Sequence, residues 1–446
     1  MSTSIVMLII FCIGYLMIAL EHKIDINKTA TALFIGVALW IVLMVSSTSA
    51  ISHETILGHV GDIGEILFFL MGAMTIVELV DNHNGFSFII KRIKTHNSVR
   101  LLWIITFTTF FLSAILDNMT TAIIMIMILR KLVGDGKRRW LYAGIVILAA
   151  NAGGAFSPIG DVTTIMLWIQ GNITSGPTII HLFLPALTSV LVPLIFVSFM
   201  LKGQTEDGHR EIEASEIHNS LTITDREKNI IFYLGVGGLM AVPVLKATIG
   251  VPPFMGMLGV LSILWLYTEF IYGRKKNIEE SIKCRVSKVI THIDMPTILF
   301  FFGILMAVAA LQEAGILTYF ADFLDKNIPN IYLINGSIGI LSSIIDNVPL
   351  VAGAMGMYSV ADPATIAGTA NAAYLAHFMV DGAFWQLLAY CAGVGGSLLI
   401  IGSAAGVVVM GLEKIDFVWY VKHISFLALV GYLAGIGVYY LQSLFF

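Results

Sequence analysis

The stretch SAILDNMTT (Ser113–Thr121) places a carboxylate, an amide and three hydroxyl groups inside a long apolar run. The run, residues 101–129, has basic flanks on both sides, KRIKTHNSVR before it and RKLVGDGKRR after it. An ionisable residue inside a membrane segment is costly and by default has a functional role. How the chain accommodates Asp117 therefore decides how this segment folds.

A re-entrant hairpin accommodates the 101–129 run. Lys-rich and Arg-rich loops stay on the cytoplasmic side, so both ends of the run are predicted there. Two full crossings need about forty residues, whereas one helix of this length would measure about 44 Å against a hydrocarbon core of about 30 Å. A hairpin that turns at Asp117-Asn118 removes both difficulties. Non-helical backbone at that depth is tolerated where protein buries it or where it lines a wet cavity.

The composition indicates the same class of protein along the whole chain. Of the 446 residues, 57% are hydrophobic and 12% are charged, and the formal net charge is −4. Apolar runs of about twenty residues recur, as transmembrane helices require. We therefore predict an all-α polytopic membrane protein with about ten crossings and both termini outside, in contact with membrane lipid. Nucleic acid is excluded as a partner, and the first twenty residues are predicted to be a retained helix.

No enzyme chemistry or cofactor is indicated. The three cysteines, Cys12, Cys284 and Cys391, match neither a disulfide pattern nor a metal-site spacing. We expect them to be apolar fillers, and we expect no cofactor.

A broken transmembrane helix is predicted for residues 141–171. The centre of this run holds three glycines together with Asn151, Ser157, Pro158 and Asp161. Glycine and proline in this density interrupt a regular helix, so the span is expected to consist of two halves.

The second half of the chain repeats the first. Three pairs of segments follow one another in the same order. The pairs are ILFFLMGAM (66–74) with ILFFFGILM (298–306), SAILDNMTT with SSIIDNVPL (342–350), and GGAFSPIGDVTT (153–164) with GGSLLIIGSAAG (395–406). The lysine pattern orients the second set opposite to the first, so we predict two inverted halves, an architecture typical of secondary transporters.

The predicted division of the chain follows from this repeat. The parts are a first half at 1–201 with hairpin 101–129 and broken helix 141–171, a cytoplasmic linker at 202–228, and a second half at 229–446 with hairpin 331–361 and broken helix 386–412. Residues 362–385 are interpreted as an excursion outside the membrane.

Three aspartates, Asp117, Asp161 and Asp346, are predicted at membrane depth. Nearly all basic residues lie in loops, so these acids have no evident ion-pair partner. The structural alternative is that each aspartate only caps a half-helix, and Pro349 suits the first turn of such a helix.

Oxygen donors surround the three acids. They are Ser113, Asn118, Thr120, Thr121, Asn151, Ser157, Thr163, Thr164, Asn347, Ser397 and Ser403. Small hard cations prefer carboxylate, carbonyl and hydroxyl oxygens. A buried carboxylate beside another can hold a proton at neutral pH and give it up to an incoming cation. We therefore predict a site for Na⁺ and H⁺ at Asp117 and Asp161, with competitive binding and alternating access sufficient for antiport.

A second polar group ends the third predicted crossing. Glu78, Asp81 and His83 are candidates for a proton relay. The alternative is a solvated helix end, which we favour.

The motifs SAILDNMTTA and NAGGAFSPIGDVTTIMLW resemble those of the NhaD-type sodium/proton antiporters of the ion transporter superfamily, and the resemblance covers essentially the whole chain. It implies export of Na⁺ or Li⁺ in exchange for protons across a bacterial cytoplasmic (inner) membrane, serving pH and sodium homeostasis. It also implies a homodimer whose hairpins move against a scaffold. The site residues that it implies are Ser113, Asp117, Asn118, Asn151, Asp161 and Thr163.

The second half departs from this pattern. It carries Val348 and Pro349 and lacks the two threonines, and Ser403 stands where Asp161 would repeat. Whether this half supplies a full ion site, or only Asp346, Ser397 and Ser403, stays open.

Three other functions fit the sequence less well. A sodium-coupled carboxylate symporter of the same superfamily would carry Ser-Asn-Thr triplets at the hairpin tips, whereas both tips here have Asp-Asn. An intramembrane aspartyl protease is suggested only by PIGD (158–161) and PAL (185–187), and it leaves the repeat unexplained. An ion channel fits buried acids on broken helices less well than occlusion does.

Overall fold

The structure is a computed structural model that describes residues 3–19, 21–46, 52–83, 85–86, 93, 95–134, 136–203, 223–275, 283–366 and 371–445. Every extended regular element in these ranges is helical, which confirms the predicted fold class. Most of the predicted linker, residues 204–222, lies outside the described residues.

Seventeen helices of eight or more residues make up the described part of the chain. They are α1 (Thr3–Ala19), α2 (Lys28–Ser46), α3 (His53–Asn82), α4 (Ser98–Ser113), α5 (Asn118–Leu132), α6 (Lys137–Ala155), α7 (Val162–Ile169), α8 (Ser175–Met200), α9 (Asp225–Ile249), α10 (Pro253–Arg274), α11 (Met295–Glu313), α12 (Ile316–Asn327), α13 (Ile331–Ser342), α14 (Asn347–Met357), α15 (Ala383–Gly395), α16 (Ala404–Glu413) and α17 (Phe426–Ser443).

Seven segments in the described ranges are long and apolar enough to cross a membrane. They are α2, α3, α8, α9, α10, α11 and the stretch Phe417–Ser443, which ends in α17. The predicted ten crossings would also require the shorter helix α1 and the two pairs α6–α7 and α15–α16. The chain is a multi-pass membrane protein.

Four interruptions separate half-helices. The chain turns at residues 114–117 between α4 and α5, and at 343–346 between α13 and α14. It is non-helical at 156–161 between α6 and α7, and at 396–403 between α15 and α16. Helix α4 has 16 residues, so its length of about 24 Å is shorter than a hydrocarbon core of about 30 Å. Each interruption places polar side chains at the start of the helix that follows.

The helices form two layers. The scaffold layer consists of α1–α3 and α9–α11, in which α2 packs against α11 and α3 packs against α10. The hairpin layer consists of α4–α8 and α13–α17, in which α4 packs on α6, α13 packs on α15, and α8 packs along α17. The layers meet where α11 contacts α14 and where α3 contacts α7. Both halves of the chain contribute to both layers.

Repeat-equivalent positions make equivalent contacts. The hydroxyl of Ser113 donates to the carbonyl of Ala150 at 2.5 Å, and that of Ser342 donates to the carbonyl of Ala392 at 2.8 Å. Two glycines also allow close crossings, since a methyl group at Gly153 would collide with the backbone of Phe110, and one at Gly395 with the backbone of Gly339. Both hairpins are therefore packed onto their broken helices in the same way.

Polar contacts join the two halves within the hairpin layer. Buried Glu413, at the end of α16, accepts hydrogen bonds from Arg130 at 2.7 Å and from Arg139 at 2.5 Å. Elsewhere in this layer, the carboxylate of Asp381 accepts from the backbone N–H and the hydroxyl of Thr174, both at 2.6 Å. Charge-assisted hydrogen bonds of this kind hold the two halves of the hairpin layer together.

Two elements differ from the sequence-based expectations. The third crossing was predicted at residues 63–81. Helix α3 begins at His53 instead, where Ser52 caps it, and His59 in its added part bonds Glu313 at 2.9 Å. Helix α12 was not predicted. It follows Gly315, whose φ of 69° reverses the chain after α11.

Candidate cation-binding site

Asp161 is the centre of the candidate site and is only 1% exposed. One carboxylate oxygen, Oδ1, accepts from the backbone N–H of Thr163 at 3.1 Å. The other, Oδ2, accepts from the side-chain amides of Asn118 at 3.0 Å and Asn347 at 3.4 Å. These amides start α5 and α14, the second arms of the two hairpins. A single carboxylate therefore lies between both hairpin tips.

Asn151 extends this network into the second broken helix. Its Oδ1 accepts from Asn118 at 3.0 Å, and its Nδ2 lies 2.8 Å from the hydroxyl oxygens of both Ser397 and Ser403. Asn151 is fully buried within α6. Residues from both hairpins and both broken helices thus form one continuous hydrogen-bonded cluster.

Four helix N-termini converge on this cluster. Asp117, Asp161, Asp346 and Ser403 are the N-caps of α5, α7, α14 and α16, and each accepts a backbone N–H bond with its side chain. The structural alternative considered from the sequence, helix capping, is thus present at all three aspartates. The positive ends of the helix dipoles help to stabilise carboxylates at this depth. Capping uses only Oδ1 of Asp161. Its Oδ2 accepts from the side-chain amides of Asn118 and Asn347.

Asp117 lies at the first hairpin tip in a strained conformation. Its φ of 118° and ψ of 160° fall in a region that glycine adopts readily and other residues rarely adopt. Such a conformation costs about 1–3 kcal/mol and is typical of functional sites. The carboxylate accepts from the backbone N–H of Thr120 at 2.8 Å and from its hydroxyl at 2.7 Å. Asp117 is partly exposed, and it interacts electrostatically with Asp161.

Two hydroxyl groups near the aspartates are fully buried. Thr121 and Thr163 are 0% exposed; Oγ1 of Thr121 makes no hydrogen bond with any residue in the described ranges, and the Thr163 hydroxyl lies beside the carboxylate of Asp161. Buried hydroxyls are normally hydrogen-bonded, and an exception needs an explanation. An oxygen left free next to carboxylates is available to a cation.

Asp346 corrects one expectation from the sequence. No ion-pair partner was expected for it, but its Oδ2 lies 3.5 Å from Nζ of Lys28 at the start of α2. Its Oδ1 accepts from the backbone N–H of Val348 at 3.3 Å. This pair was not predicted, because Lys28 falls in a basic segment that orients the chain and is 318 residues away from Asp346.

The remaining predicted site residues have packing contacts. Ser113 bonds Ala150, as described above, and the hydroxyl of Ser157 donates to the carbonyl of Ala114 at 2.5 Å. Ser157 thereby ties the first break to the first hairpin tip. Thr164 bonds the carbonyl of Asp161 at 2.8 Å.

The candidate relay lies apart from the cluster. His83 is buried, and its ring nitrogens bond the carbonyl of Leu79 at 2.6 Å and the hydroxyl of Tyr272 at 2.8 Å. Glu78 accepts from Asn82 at 3.0 Å. Among the hydrogen bonds of the described residues, none joins Glu78, Asp81 or His83 to Asp117 or Asp161. The solvated helix end that we favoured does not describe His83, because its ring is buried.

Comparisons with known proteins identify the family of the chain. A family model described as "Citrate transporter" (CitMHS) matches residues 7–380. The chain is 45% identical to "Sodium/proton antiporter 1" of Arabidopsis thaliana over 98% of the chain and 72% of that protein. It is 40% identical to "Sodium/proton antiporter 2" of the same plant over 97% of the chain and 98% of that protein. It is 30% identical to "Na(+)/H(+) antiporter NhaD" of Vibrio cholerae over 98% of the chain and 91% of that protein.

Proposed function

Since the chain belongs to the NhaD-type sodium/proton antiporters within the citrate transporter family, we propose that it exchanges Na⁺ for H⁺ across a membrane by alternating access. One observation carries the mechanism that we propose. The buried carboxylate of Asp161 lies between the two hairpin tips, and its partners at Oδ2 are neutral amides. Its charge can be neutralised by one cation or one proton at a time.

The ligands for Na⁺ are available around Asp161. Rotation of the Asn118 amide would replace its N–H donor with an oxygen that faces the cation. The hydroxyls of Thr121, which has no described partner, and of Thr163, which lies beside Asp161, add neutral oxygens that suit a hard cation of low charge. We propose that Asp117 completes this set from the partly exposed side of the hairpin tip, and that Li⁺ binds the same oxygens.

Protonation of Asp161 gives the alternative occupied state. A proton on Oδ2 displaces the amide donors and leaves no charge for a cation to bind. Because the two ligands use the same oxygen, binding of one requires release of the other. Competition at one site, together with exposure to each side in turn, couples Na⁺ export to H⁺ entry.

Citrate, which the family description names, fits this site less well than Na⁺ does. Asp117 and Asp161 lie close enough to interact electrostatically, and the partners of both are neutral groups, so the two carboxylates would repel a carboxylate substrate. The second half of the chain supplies Asn347, Ser397 and Ser403 to the network rather than a basic side chain.

Several finer points stay predictions. A bacterial cytoplasmic membrane, external termini, contacts with specific lipids and a homodimer follow only from the resemblance and from the lysine pattern. The similar proteins named above come from both a plant and a bacterium.

Everted membrane vesicles with a preset pH gradient test the proposal. Addition of NaCl or LiCl should collapse the gradient, and sodium citrate should do so only to the extent that its Na⁺ content explains. Asp161→Asn should abolish the response, whereas the exposed acid Asp322 on α12 offers a matched control, Asp322→Asn, that should respond like the wild type. Normal exchange by Asp161→Asn would overturn the assignment of this residue.

A further inference from the structure

The second hairpin tip has a fixed positive charge beside its aspartate. Lys28 Nζ lies 3.5 Å from Asp346 Oδ2 and 4.6 Å from the ring centre of Phe300 on α11. Lys28 begins α2, where its backbone N–H donates to Glu21 at 3.0 Å. Its side chain is 32% exposed and that of Asp346 is 18% exposed. The pair therefore joins the scaffold layer to the tip of a hairpin.

The repeat explains why Asp346 needs this partner. At the first tip, Thr120 supplies both a hydroxyl and an N–H to Asp117. The equivalent of Thr120 in the second half is Pro349, which has neither group. Asp346 keeps one cap bond, from Val348, and its second oxygen accepts from the Lys28 ammonium group instead.

Asp346 also acts on the central carboxylate. It interacts electrostatically with Asp161, and the next residue, Asn347, donates to Asp161 Oδ2. Lys28, Asp346, Asn347 and Asp161 thus form a short path from the scaffold layer to the site. Other groups near the pair are Glu21 and Tyr15, whose hydroxyl is buried without a described partner.

We propose that Lys28 is a tethered counter-cation, whose ammonium group occupies at Asp346 the place that a transported Na⁺ takes at Asp161. On this basis, which rests on the function proposed above, the second hairpin tip binds no transported cation while the pair is closed. The Asp346 carboxylate instead sets the electrostatic potential at Asp161. Any displacement of the second hairpin along α2 must lengthen the pair, so Lys28 is a positioning residue that links layer movement to the site.

Stability of the pair itself is a minor effect. A partly exposed ion pair contributes little to folding, because water screens the attraction and two long side chains lose conformational freedom. The pair has a larger effect on Na⁺ affinity, because an unpaired charge near a buried carboxylate is only weakly screened. We therefore expect the variants to change Na⁺ affinity more than protein stability.

A double-mutant cycle in proteoliposomes tests this proposal. The full chain is reconstituted with a trapped fluorescent proton indicator, and initial exchange rates are measured against Na⁺ concentration at one alkaline pH. Asp346→Asn leaves Lys28 unpaired and should raise the KM for Na⁺ about tenfold. Lys28→Gln leaves Asp346 unpaired and should lower the KM about threefold, because the added negative charge attracts cations.

The double variant decides the outcome. Lys28→Gln with Asp346→Asn removes both charges and should return the KM to within about twofold of the wild type, since paired residues show non-additive effects. Lys28→Arg should keep the wild-type KM. Lys326→Gln, a change of an exposed lysine at the end of α12, serves as the control for loss of a positive charge.

Two results would overturn the proposal. One is a double variant with a KM as high as that of Asp346→Asn alone, and the other is a Lys28→Gln variant with an unchanged KM. A purely structural role would lower the maximal rate and leave the KM unaffected. If the wild-type protein itself exchanges no Na⁺ for H⁺, the proposed function fails instead, so the two failures are distinguishable.

Discussion

The two hairpin tips share an Asp-Asn pair but surround it differently. At the first tip, Asp117 has a φ of 118° and accepts hydrogen bonds from the N–H and the hydroxyl of Thr120, three residues away. At the second tip, Asp346 has an ordinary φ of −48° and pairs with Lys28 from the scaffold layer. The two asparagines, in contrast, do the same thing, since Asn118 and Asn347 both donate to Asp161.

This difference shows that a repeated motif need not be a repeated site. Packing is equivalent in both halves, as the Ser113–Ala150 and Ser342–Ala392 contacts show. Charge is not equivalent, because Ser403 replaces Asp161 and a lysine accompanies Asp346. The fold therefore contains two similarly packed hairpin tips. We propose that the first tip holds the transported cation and that the second holds a lysine.

The largest expected difference separates the two tip aspartates. Asp117→Asn removes a carboxylate with neutral partners only, and it should lower kcat/KM for Na⁺ at least about a hundredfold, as loss of a partly buried charge partner does. Asp346→Asn should have the smaller effect given above. Proteoliposome exchange rates, normalised to the amount of inserted protein, measure both. Equal losses in the two variants would mean that the tips have equivalent roles.

The packing of the two halves should respond alike. Gly153→Ala and Gly395→Ala each force a methyl group into the backbone of a facing helix. Overpacking of this kind costs about 1–3 kcal/mol, so both variants should lose similar thermal stability in detergent.

Gly411 on α16 has open space around it and provides the matched control. Gly411→Ala should keep or slightly raise the unfolding temperature, because alanine is favoured over glycine within a helix. A large loss of thermal stability in only one of Gly153→Ala and Gly395→Ala would show that the two halves are not packed equivalently.

The hydroxyl of Thr120 is the feature that the second tip lacks. Thr120→Ala removes one of the two bonds to Asp117 and should raise the KM for Na⁺ about tenfold, the change that corresponds to a charge-assisted hydrogen bond. Thr120→Ser keeps the hydroxyl and should restore the wild-type value in the same exchange assay. A Thr120→Ala variant with normal KM would show that the hydroxyl does not position the carboxylate.

Thr121→Val should have the smallest effect on transport. It should raise protein stability and lower Na⁺ affinity. The buried hydroxyl has no described partner. Its replacement by a methyl group should therefore raise stability by about 1 kcal/mol, because an unsatisfied polar group is removed. Na⁺ affinity should fall about threefold if the oxygen binds the cation. Thermal unfolding with and without NaCl measures both, and loss of stability without NaCl would contradict this account.

Much of the fold could be predicted from the sequence, because local chemistry sets helix ends. The polar residues at Asp117, Asp161 and Asp346 cap half-helices, and apolar length predicts the spanning helices. Helix α12 shows what was missed. Ile316, Leu317 and Ala321 are its buried residues, and their helical spacing was a signal that hydropathy over longer windows conceals.

The candidate site was predictable in its residues but not in its pairings. Depth and residue type identified the acids and amides. The Lys28–Asp346 pair depends on how the scaffold layer packs against the second hairpin, and no local pattern encodes that contact. Pro349 indicates only that Asp346 lacks the hydroxyl and the N–H that the first tip uses, and it does not identify Lys28 as the partner.

Proton release on Na⁺ binding tests the central claim most directly. Purified protein is titrated with NaCl in a calorimeter, in buffers of different ionisation enthalpy, with choline chloride as the control for ionic strength. We predict that the wild type releases protons as Na⁺ binds, and that Asp161→Asn neither binds Na⁺ measurably nor releases protons. Proton release by Asp161→Asn equal to that of the wild type would contradict competition of the two ions for this carboxylate.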